Sequence, residues 1–172
     1  MSGNVKNIYT GQVVRFNLEQ VDLPNGQTCE LEIVHHPGGV AVVAINEQQQ
    51  ICLLRQYRHA AGGWLWEIPA GKTEANEAPE YTARRELEEE SGMRAGTIRY
   101  LGKTVTSPAI CTEVIQLYLA EQLTHVEVNH QVDEVIEIHW FSLAQVQQMI
   151  CQGEIDDAKT LAGLYYYQLS CA

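Results

Sequence analysis

The pattern of apolar residues predicts that the first third of the chain is made of β-strands. Segments 8–22 and 28–36 are rich in β-formers and flank Pro24-Asn25-Gly26, a strong tight-turn signal, so the chain is predicted to open with a β-hairpin. Segment 40–45 is a continuous apolar run of the kind found in buried strands. Segment 51–57 predicts another strand of the same kind.

The remainder of the chain predicts one central helix, further strands and two C-terminal helices. Segment 78–91 favours a helix because Pro79 suits its first turn, strong helix formers follow, and Gly92 can end it in a left-handed conformation. Strands are predicted near 98–105, 114–120 and 135–141. This order predicts an α+β fold, in which helices cover both faces of a mixed sheet.

The two C-terminal helices carry clear end signals and apolar stripes. Ser142, with Gln145 three positions later, forms a capping box for the first of them. The second is predicted to start near residues 155–157. The predicted buried face of the first helix consists of Leu143, Val146, Met149 and Ile150, and the predicted apolar stripe of the second consists of Leu161, Leu164, Tyr165 and Leu169.

Length and charge limit the classes of protein. The 172 residues predict a single domain, with an N-terminal β region at 1–36 and a core at 37–172. The net charge of -11 argues against a nucleic-acid partner. Five scattered cysteines indicate reduced thiols, and the chain lacks an apolar signal segment or a run long enough to span a bilayer. A cytoplasmic protein without a membrane partner is expected.

Three glutamates on the central helix point to a divalent cation. Glu86, Glu89 and Glu90 are three and four positions apart, so they share one helical face and repel each other. Carboxylate oxygens suit Mg²⁺, with Mn²⁺ as an alternative, and the absence of thiolate or imidazole in the cluster argues against zinc. The alternative is a charge-rich helix face that is only solvated. The glycines at 71 and 92, on either side of the acids, favour the cation site.

This stretch resembles an unbroken Nudix box. Its residues are Gly71, Glu77, Arg85-Glu86-Leu87, Glu89-Glu90 and Gly92-Met93. The resemblance implies a Mg²⁺-dependent hydrolase of nucleoside diphosphates linked to another moiety, on a Nudix-type α/β/α sandwich, and a homodimer. It also implies that Glu86, Glu90 and the carbonyl of Ala70 are metal ligands with Glu89 close by, and that Glu77 and Arg85 are orienting groups.

Further segments resemble the ADP-ribose pyrophosphatase branch of that family. They are Arg55-Gln56-Tyr57-Arg58, then Trp66-Glu67-Ile68-Pro69-Ala70-Gly71-Lys72, Ser107-Pro108, and the tail Gly153-Glu154-Ile155-Asp156-Asp157-Ala158-Lys159-Thr160. Hydrolysis of ADP-ribose to AMP and ribose 5-phosphate is therefore expected. The rivals are a GDP-mannose or other nucleotide-sugar pyrophosphatase, a non-catalytic nucleotide sensor, and a hydrolase of oxidised nucleoside triphosphates, which fits the chain length poorly.

The expected substrate contacts come from several segments. Arg58 and Arg55 can chelate diphosphate oxygens, although strand alternation places them on opposite faces and a solvent-facing charge is an equal alternative for Arg55. Trp64 and Trp66 are candidates for stacking on adenine, against the commoner alternative of core packing. The resemblance implies contacts from Glu67, Glu113, Ser107, Pro108 and Ala109.

The resemblance implies a general base from a loop outside the box, and the segment between Leu123 and Val135 is polar and acidic. Glu127, Asp133 and Glu134 are the available carboxylates, and Glu134 is the preferred candidate. An exposed loop acid is the alternative. The opening hairpin would be only marginally stable alone, and pairing with a second copy of the chain would stabilise it.

Overall fold

The computed structural model describes residues 4–131 and 134–171, which form two compact units. The first unit combines the chain up to Gly38 with Val105–Val114. The second combines Gly39–Thr104 with the residues from Ile115 onward. The interpretation of the chain as a single domain stays a prediction.

The described residues contain the following helices and strands in chain order. The strands are β1 (Val5–Thr10), β2 (Arg15–Asp22), β3 (Thr28–His35), β4 (Gly39–Ala44), β5 (Gln50–Arg58), β6 (Gly63–Glu67), β7 (Ala70–Lys72), β8 (Met93–Val105), β9 (Val114–His125) and β10 (Ile136–Ser142). The helices are α1 (Pro79–Ser91), α2 (Leu143–Cys151) and α3 (Ala158–Ser170).

The first unit contains a three-stranded sheet in the order β1-β2-β3. The predicted hairpin is confirmed, because β2 and β3 pair antiparallel from Arg15 opposite His35 to Asp22 opposite Thr28. Reading 8–22 as one β segment was wrong. The backbone N–H of Gly11 donates to the carbonyl of Val14 at 2.8 Å, and this turn separates β1 from β2.

The second unit contains a four-stranded sheet, β7-β4-β9-β8, and a three-stranded antiparallel sheet, β10-β5-β6. The larger sheet is mixed, because β4 runs parallel to β9 and antiparallel to β7. Strands β6 and β7 had no prediction. Ile68 and Pro69 separate them along the chain, and each strand is short and lacks a sustained apolar pattern.

Strand β4 is buried along its whole length and contributes to two cores. Its alternate residues Val40, Val42 and Ala44 belong to the cluster that contains Ala83 and Leu87 of α1. The intervening residues belong to the cluster that contains Val146 and Met149 of α2 and Leu164 of α3. Since successive strand side chains point to opposite faces, helices cover both sides of the sheet. The predicted α+β class is confirmed.

The helix ends follow the local signals. Helix α1 begins at Pro79 and ends at Gly92, whose φ of 66° is left-handed. The capping box of Ser142 and Gln145 is present at α2. Helix α3 starts slightly later than predicted, because Asp157 is its N-cap and accepts a hydrogen bond from the Thr160 N–H. None of the described helices is both long and apolar enough to cross a membrane.

Candidate active site

Two of the three clustered glutamates are buried on the core side of α1. Glu86 is 5% exposed and Glu90 is 2% exposed, whereas Glu89 is partly exposed. Ala83 and Leu87 pack α1 onto the sheet, and Glu90 follows them along the same side of the helix. Carboxylates are seldom buried without a partner. This helix face therefore differs from a merely solvated one.

The start of β7 lies against these two carboxylates. The backbone N–H of Ala70 donates to Glu90 Oε2 at 2.8 Å. A Cβ on residue 71 would overlap the carboxylate of Glu86, so a larger residue there would displace that carboxylate. Strand β7 is held in place by pairing with β4, in which Ala70 lies opposite Ala41. The three predicted ligand residues Ala70, Glu86 and Glu90 are thus brought together.

Arg85 connects the acids of the helix to the loop before it. Its Nε lies 3.0 Å from Glu77 Oε1, and its Nη1 lies 2.8 Å from both Glu86 Oε1 and Glu89 Oε2. The hydrogen bonds from Arg85 lower the pKa of Glu77 to about 2, with a further contribution from the hydroxyl of Thr82. This arrangement is consistent with the orienting roles predicted for Glu77 and Arg85.

Burial makes the two inner carboxylates strongly proton-binding. It raises the pKa of Glu90 to about 8, and the nearby charges of Glu86 and Glu134 add to the effect. The pKa of Glu86 is also raised, mainly by burial. Two desolvated acids that face one another favour either a proton or a cation between them. The hydrogen bond from Ala70 only partly offsets this cost for Glu90.

The donor set fits a hard divalent cation. Glu86 and Glu90 provide carboxylate oxygens beside the peptide group of Ala70, and oxygen is the donor that Mg²⁺ and Mn²⁺ prefer. Within residues 4–131 and 134–171, no three His, Cys, Asp or Glu side chains already converge as a metal-binding group. Arg85 instead provides the positive charge next to Glu86 and Glu89.

The loop that carries Glu134 is attached to the C-terminal end of α1. Backbone N–H groups of Val126 and Asn129 donate to the carbonyls of Gly92 and Glu89, at 2.8 and 3.0 Å. The Nε2 of His130 lies 2.9 Å from the carbonyl of Glu90. These contacts satisfy carbonyl groups that a helix end leaves without intrahelical partners. They also bring the loop to the acidic end of the helix.

Glu134 is partly buried and is close to the acid pair. Its charge contributes to the raised pKa values of Glu86 and Glu90, and its Oε2 accepts a hydrogen bond from the N–H of Gln131 at 2.7 Å. Of the other loop acids, Glu127 is exposed, and Asp133 lies outside the described residues. The assignment of Glu134 as the general base stays a prediction.

Arg58 and Glu67 form a bidentate ion pair on neighbouring strands. The Nη2 of Arg58 lies 2.8 Å from Glu67 Oε2, and its Nε lies within 3.2 Å of both oxygens. Glu67 is almost fully buried, whereas the Arg58 side chain is 39% exposed. Glu67 therefore holds Arg58, and Arg58 presents charge to the surface.

Of the two tryptophans predicted to contact the substrate, Trp66 is a core residue and Trp64 is a surface residue. Trp66 packs against the core and makes edge-on contacts with His139 and Phe141, at centroid distances of 5.0 and 5.4 Å. Trp64 is 41% exposed, and Arg55 lies 5.0 Å from the centre of its ring. Trp64 is thus the better placed of the two to stack on a base.

The predicted substrate loop belongs to the first unit. The N–H of Val34 in β3 donates to the carbonyl of Ile110 at 2.7 Å, which attaches the loop to the N-terminal sheet. Glu113 accepts a hydrogen bond from the hydroxyl of Thr106 at 2.7 Å and lies 3.2 Å from His36. Ser107, Pro108 and Ala109 are exposed.

Several residues near the site carried no functional prediction. His130 contacts the end of α1, and Lys159 forms an ion pair with Glu67 at 3.2 Å. Thr160 is fully buried and accepts a hydrogen bond from the N–H of Ile68 at 3.0 Å. The only sequence signal for the last two was their place in the tail that resembles the ADP-ribose branch.

Comparison with known proteins gives consistent results across most of the chain. Residues 35–164 match the NUDIX domain family. The chain is 39% identical to an ADP-ribose pyrophosphatase of Bacillus subtilis (strain 168), over 94% of this chain and 89% of that protein. It is 41% identical, with the same coverage, to a methanol dehydrogenase activator of Bacillus methanolicus.

More distant proteins share the same architecture. A GDP-mannose pyrophosphatase of Enterobacter sp. (strain 638) is 32% identical over 93% of this chain and 82% of its own length. A crystal structure of an ADP compounds hydrolase superposes with a TM-score of 0.84, covering 98% of this chain and 91% of that one. The sequence identity to that structure is 18%, so the likeness concerns the fold.

The raised pKa of Glu90 predicts a pH-dependent stability that a cation should reverse. Because its pKa rises from 4.5 to about 8 on folding, the folded state holds this proton more tightly than the unfolded state. The metal-free protein should therefore lose stability between about pH 4.5 and pH 8. At pH 8, Mg²⁺ should raise the melting temperature of the wild type, and Glu90→Gln should reduce the pH-dependent loss and remove the Mg²⁺ response.

Thermal unfolding at pH 5 and pH 8, with and without Mg²⁺, measures these effects. Glu80→Gln is the matched control, since Glu80 is an exposed acid on the same helix and should behave as the wild type. An equal Mg²⁺ response in wild type and Glu90→Gln would contradict the assignment of Glu90 to the cation site.

Proposed function

This chain belongs to the Nudix family and is a Nudix hydrolase, and from this premise we propose that it hydrolyses ADP-ribose to AMP and ribose 5-phosphate with Mg²⁺. The observation that carries the proposal is the pair of buried carboxylates, Glu86 and Glu90, held beside the peptide of Ala70. When bound there, a divalent cation supplies positive charge against the diphosphate and makes water a stronger acid. Mn²⁺ has the same oxygen preference and is the alternative.

Each part of the site then has a defined task. Glu86, Glu90 and the carbonyl of Ala70 hold the cation, and Glu89 lies next to them on the helix. Arg85 orients Glu86 and Glu89 through its Nη1, while its Nε edge is fixed by Glu77. Glu134 accepts the proton of the attacking water, a step that is typically worth 10²–10⁴ in rate.

Arg58 is the proposed anchor for the diphosphate. Its guanidinium is charged at every relevant pH and is partly exposed while Glu67 holds one edge of it. Trp64, together with Arg55, offers an exposed indole surface for the adenine. Glu67 holds Arg58 in place, and Trp66 packs against the core. From the resemblance, Ser107, Pro108 and Ala109 are proposed to line the substrate loop, and Glu113 is proposed to contact the ribose or the metal.

The choice of ADP-ribose follows the name of the Bacillus subtilis relative and the segments outside the box. We expect the purified protein with Mg²⁺ to release AMP from ADP-ribose and to be inactive after treatment with EDTA. Chromatography of the products from a panel of nucleoside diphosphate sugars measures this. If the EDTA-treated protein still cleaves ADP-ribose, the role of the cation is wrong.

The same panel tests the alternatives. Preferential release of GMP from GDP-mannose would favour the activity named for the Enterobacter relative, because the diphosphate chemistry is the same and only the base and sugar contacts differ. The relative named a methanol dehydrogenase activator is as similar to the chain. The protein is therefore also added to a methanol dehydrogenase assay, where a change in rate would support that role.

Replacing the proposed base should reduce turnover without unfolding the protein. Glu134→Gln keeps the size of the side chain but cannot accept the proton, so we expect kcat to fall by about 10²–10⁴. Glu127→Gln, an exposed acid in the same loop, is the matched control and should keep near-normal turnover. Steady-state kinetics with ADP-ribose decide between them, and the reverse result would assign the base to Glu127.

A homodimer is proposed from the N-terminal sheet. All six residues of β1 are exposed, and Val5, Ile8 and Tyr9 are each at least 46% exposed. A small sheet with apolar residues on a free edge strand is stabilised when another chain covers it. Light scattering at micromolar concentration should give twice the mass of 19.3 kDa. A monomeric mass would contradict the dimer.

The cytoplasm is the proposed location of the enzyme. The five cysteines are scattered along the sequence, and an odd number suits a compartment where thiols stay reduced. No nucleic-acid partner is proposed, because the net negative charge of the protein would repel the phosphate backbone.

A further inference from the structure

The tail that resembles the ADP-ribose branch has no assigned task, although it lies beside the proposed diphosphate anchor. Its residue Lys159 is only 14% exposed, and its Nζ lies 3.2 Å from Glu67 Oε1 and 3.1 Å from Asp157 Oδ2. Glu67 is in turn the carboxylate that holds Arg58. The contacts therefore form a row of alternating charges, from the start of α3 to the guanidinium of Arg58. Its members are Asp157, Lys159, Glu67 and Arg58.

The four charges of this row balance one another, and three of the four side chains are poorly solvated. Arg58 and Lys159 carry two positive charges, and Glu67 and Asp157 carry two negative charges. The side chains of Glu67, Lys159 and Asp157 are 4%, 14% and 15% exposed. Removal of one partner from such a set leaves a desolvated charge without compensation. The residues must therefore keep a fixed geometry.

Helix α3 holds one end of this row of charges in place. Asp157 is the N-cap, and its Oδ2 accepts hydrogen bonds from the N–H and the hydroxyl of Thr160, at 2.9 and 2.6 Å. The hydroxyl of Thr160 also accepts a hydrogen bond from the N–H of Ile68. The residue next to Glu67 is thus attached to the same helix. Both the backbone and the carboxylate of this segment are held from α3.

Lys159 and Arg58 share the carboxylate of Glu67. Lys159 contacts Oε1 of Glu67, and Arg58 makes its shortest contact with Oε2, through Nη2. Arg58 is therefore docked side-on through Nε and Nη2. Its Nη1 donates no hydrogen bond to any of the described residues. This Nη1 and the outer edge of the guanidinium stay available for an anion.

We propose that Lys159 is a positioning residue, which fixes the carboxylate of Glu67 so that Arg58 keeps its Nη1 edge free for the diphosphate of the substrate. Without Lys159, the Glu67 carboxylate can rotate, and Arg58 can dock on it end-on through Nη1 and Nη2. That arrangement occupies the group which binds the substrate. The inference rests on the proposed function, since it gives a task to the diphosphate anchor.

The primary test compares Lys159→Met with Lys159→Arg. Methionine keeps the unbranched shape and removes the charge, and we expect KM for ADP-ribose to rise about tenfold, equivalent to about 1.4 kcal/mol, with kcat changed less than about twofold. The Kd for ADP-ribose in EDTA, measured by calorimetry, should rise by the same factor. Lys159→Arg, which retains the charge, should recover most of the affinity.

Lys103→Met is the matched control, because it removes the same charge from an exposed position in the same unit and should leave KM unchanged. If Lys159→Met fails to fold, the double variant Glu67→Gln/Lys159→Met removes the buried charges together. It should show the same rise in KM, because Arg58 loses its carboxylate. Wild-type KM in either folded variant, or a loss confined to kcat, would overturn the proposal.

The outcome is distinguishable from failure of the proposed function. If the wild type cleaves a different nucleoside diphosphate sugar, the same variants are measured with that compound, and the expected KM effect is unchanged. If the wild type cleaves none, the proposed function fails in the wild type itself. The inference then depends on the ¹⁵N resonance of the Arg58 Nε–H, which should shift in Lys159→Met and stay at its wild-type position in Lys103→Met; an unshifted resonance in Lys159→Met overturns it.

Discussion

The burial of two carboxyl groups against the start of β7 is the constraint on which the rest of this structure depends. Glu86 and Glu90 are held out of water next to Ala70 and Gly71, where a residue larger than glycine would displace the Glu86 carboxylate. Such an arrangement is unfavourable unless protons or cations compensate it. The fold maintains it because α1 is anchored to the sheet by Ala83 and Leu87, both completely buried.

Three separate parts of the chain support this centre. Arg85 provides charge from within the helix, and the loop before β10 bonds to the carbonyl groups at the helix end. The start of α3 holds the segment that leads into β7, through Thr160 and Lys159. Each support uses contacts between segments that are distant in sequence. The geometry of the acids is therefore a property of the whole second unit.

Features with a local cause could be predicted from the sequence. The extent of α1, its glycine end and the capping box of α2 depend on residues within a few positions of each other, and all three are confirmed. The clustering of Glu86, Glu89 and Glu90 is likewise a matter of helical spacing. The mixed sheet followed from the order of the elements.

Features that depend on tertiary contacts could not be predicted in this way. The turn at Gly11 divides a segment whose composition is β-rich throughout, and β7 is only three residues long. The contact between Ile68 and Thr160 spans 92 positions. No periodic pattern relates two such residues, and only the fold brings them together. The burial of Glu67 could not be predicted for the same reason, because its partners Arg58 and Lys159 come from different elements.

The first unit is assembled from two separate stretches of the chain. Val34 in β3 accepts the N–H of Thr112 and donates to the carbonyl of Ile110, so the loop after β8 takes its conformation from the N-terminal strands. Removal of residues 1–38 would thus affect more than the N-terminal sheet. The loop would lose the backbone hydrogen bonds that Val34 makes with Ile110 and Thr112.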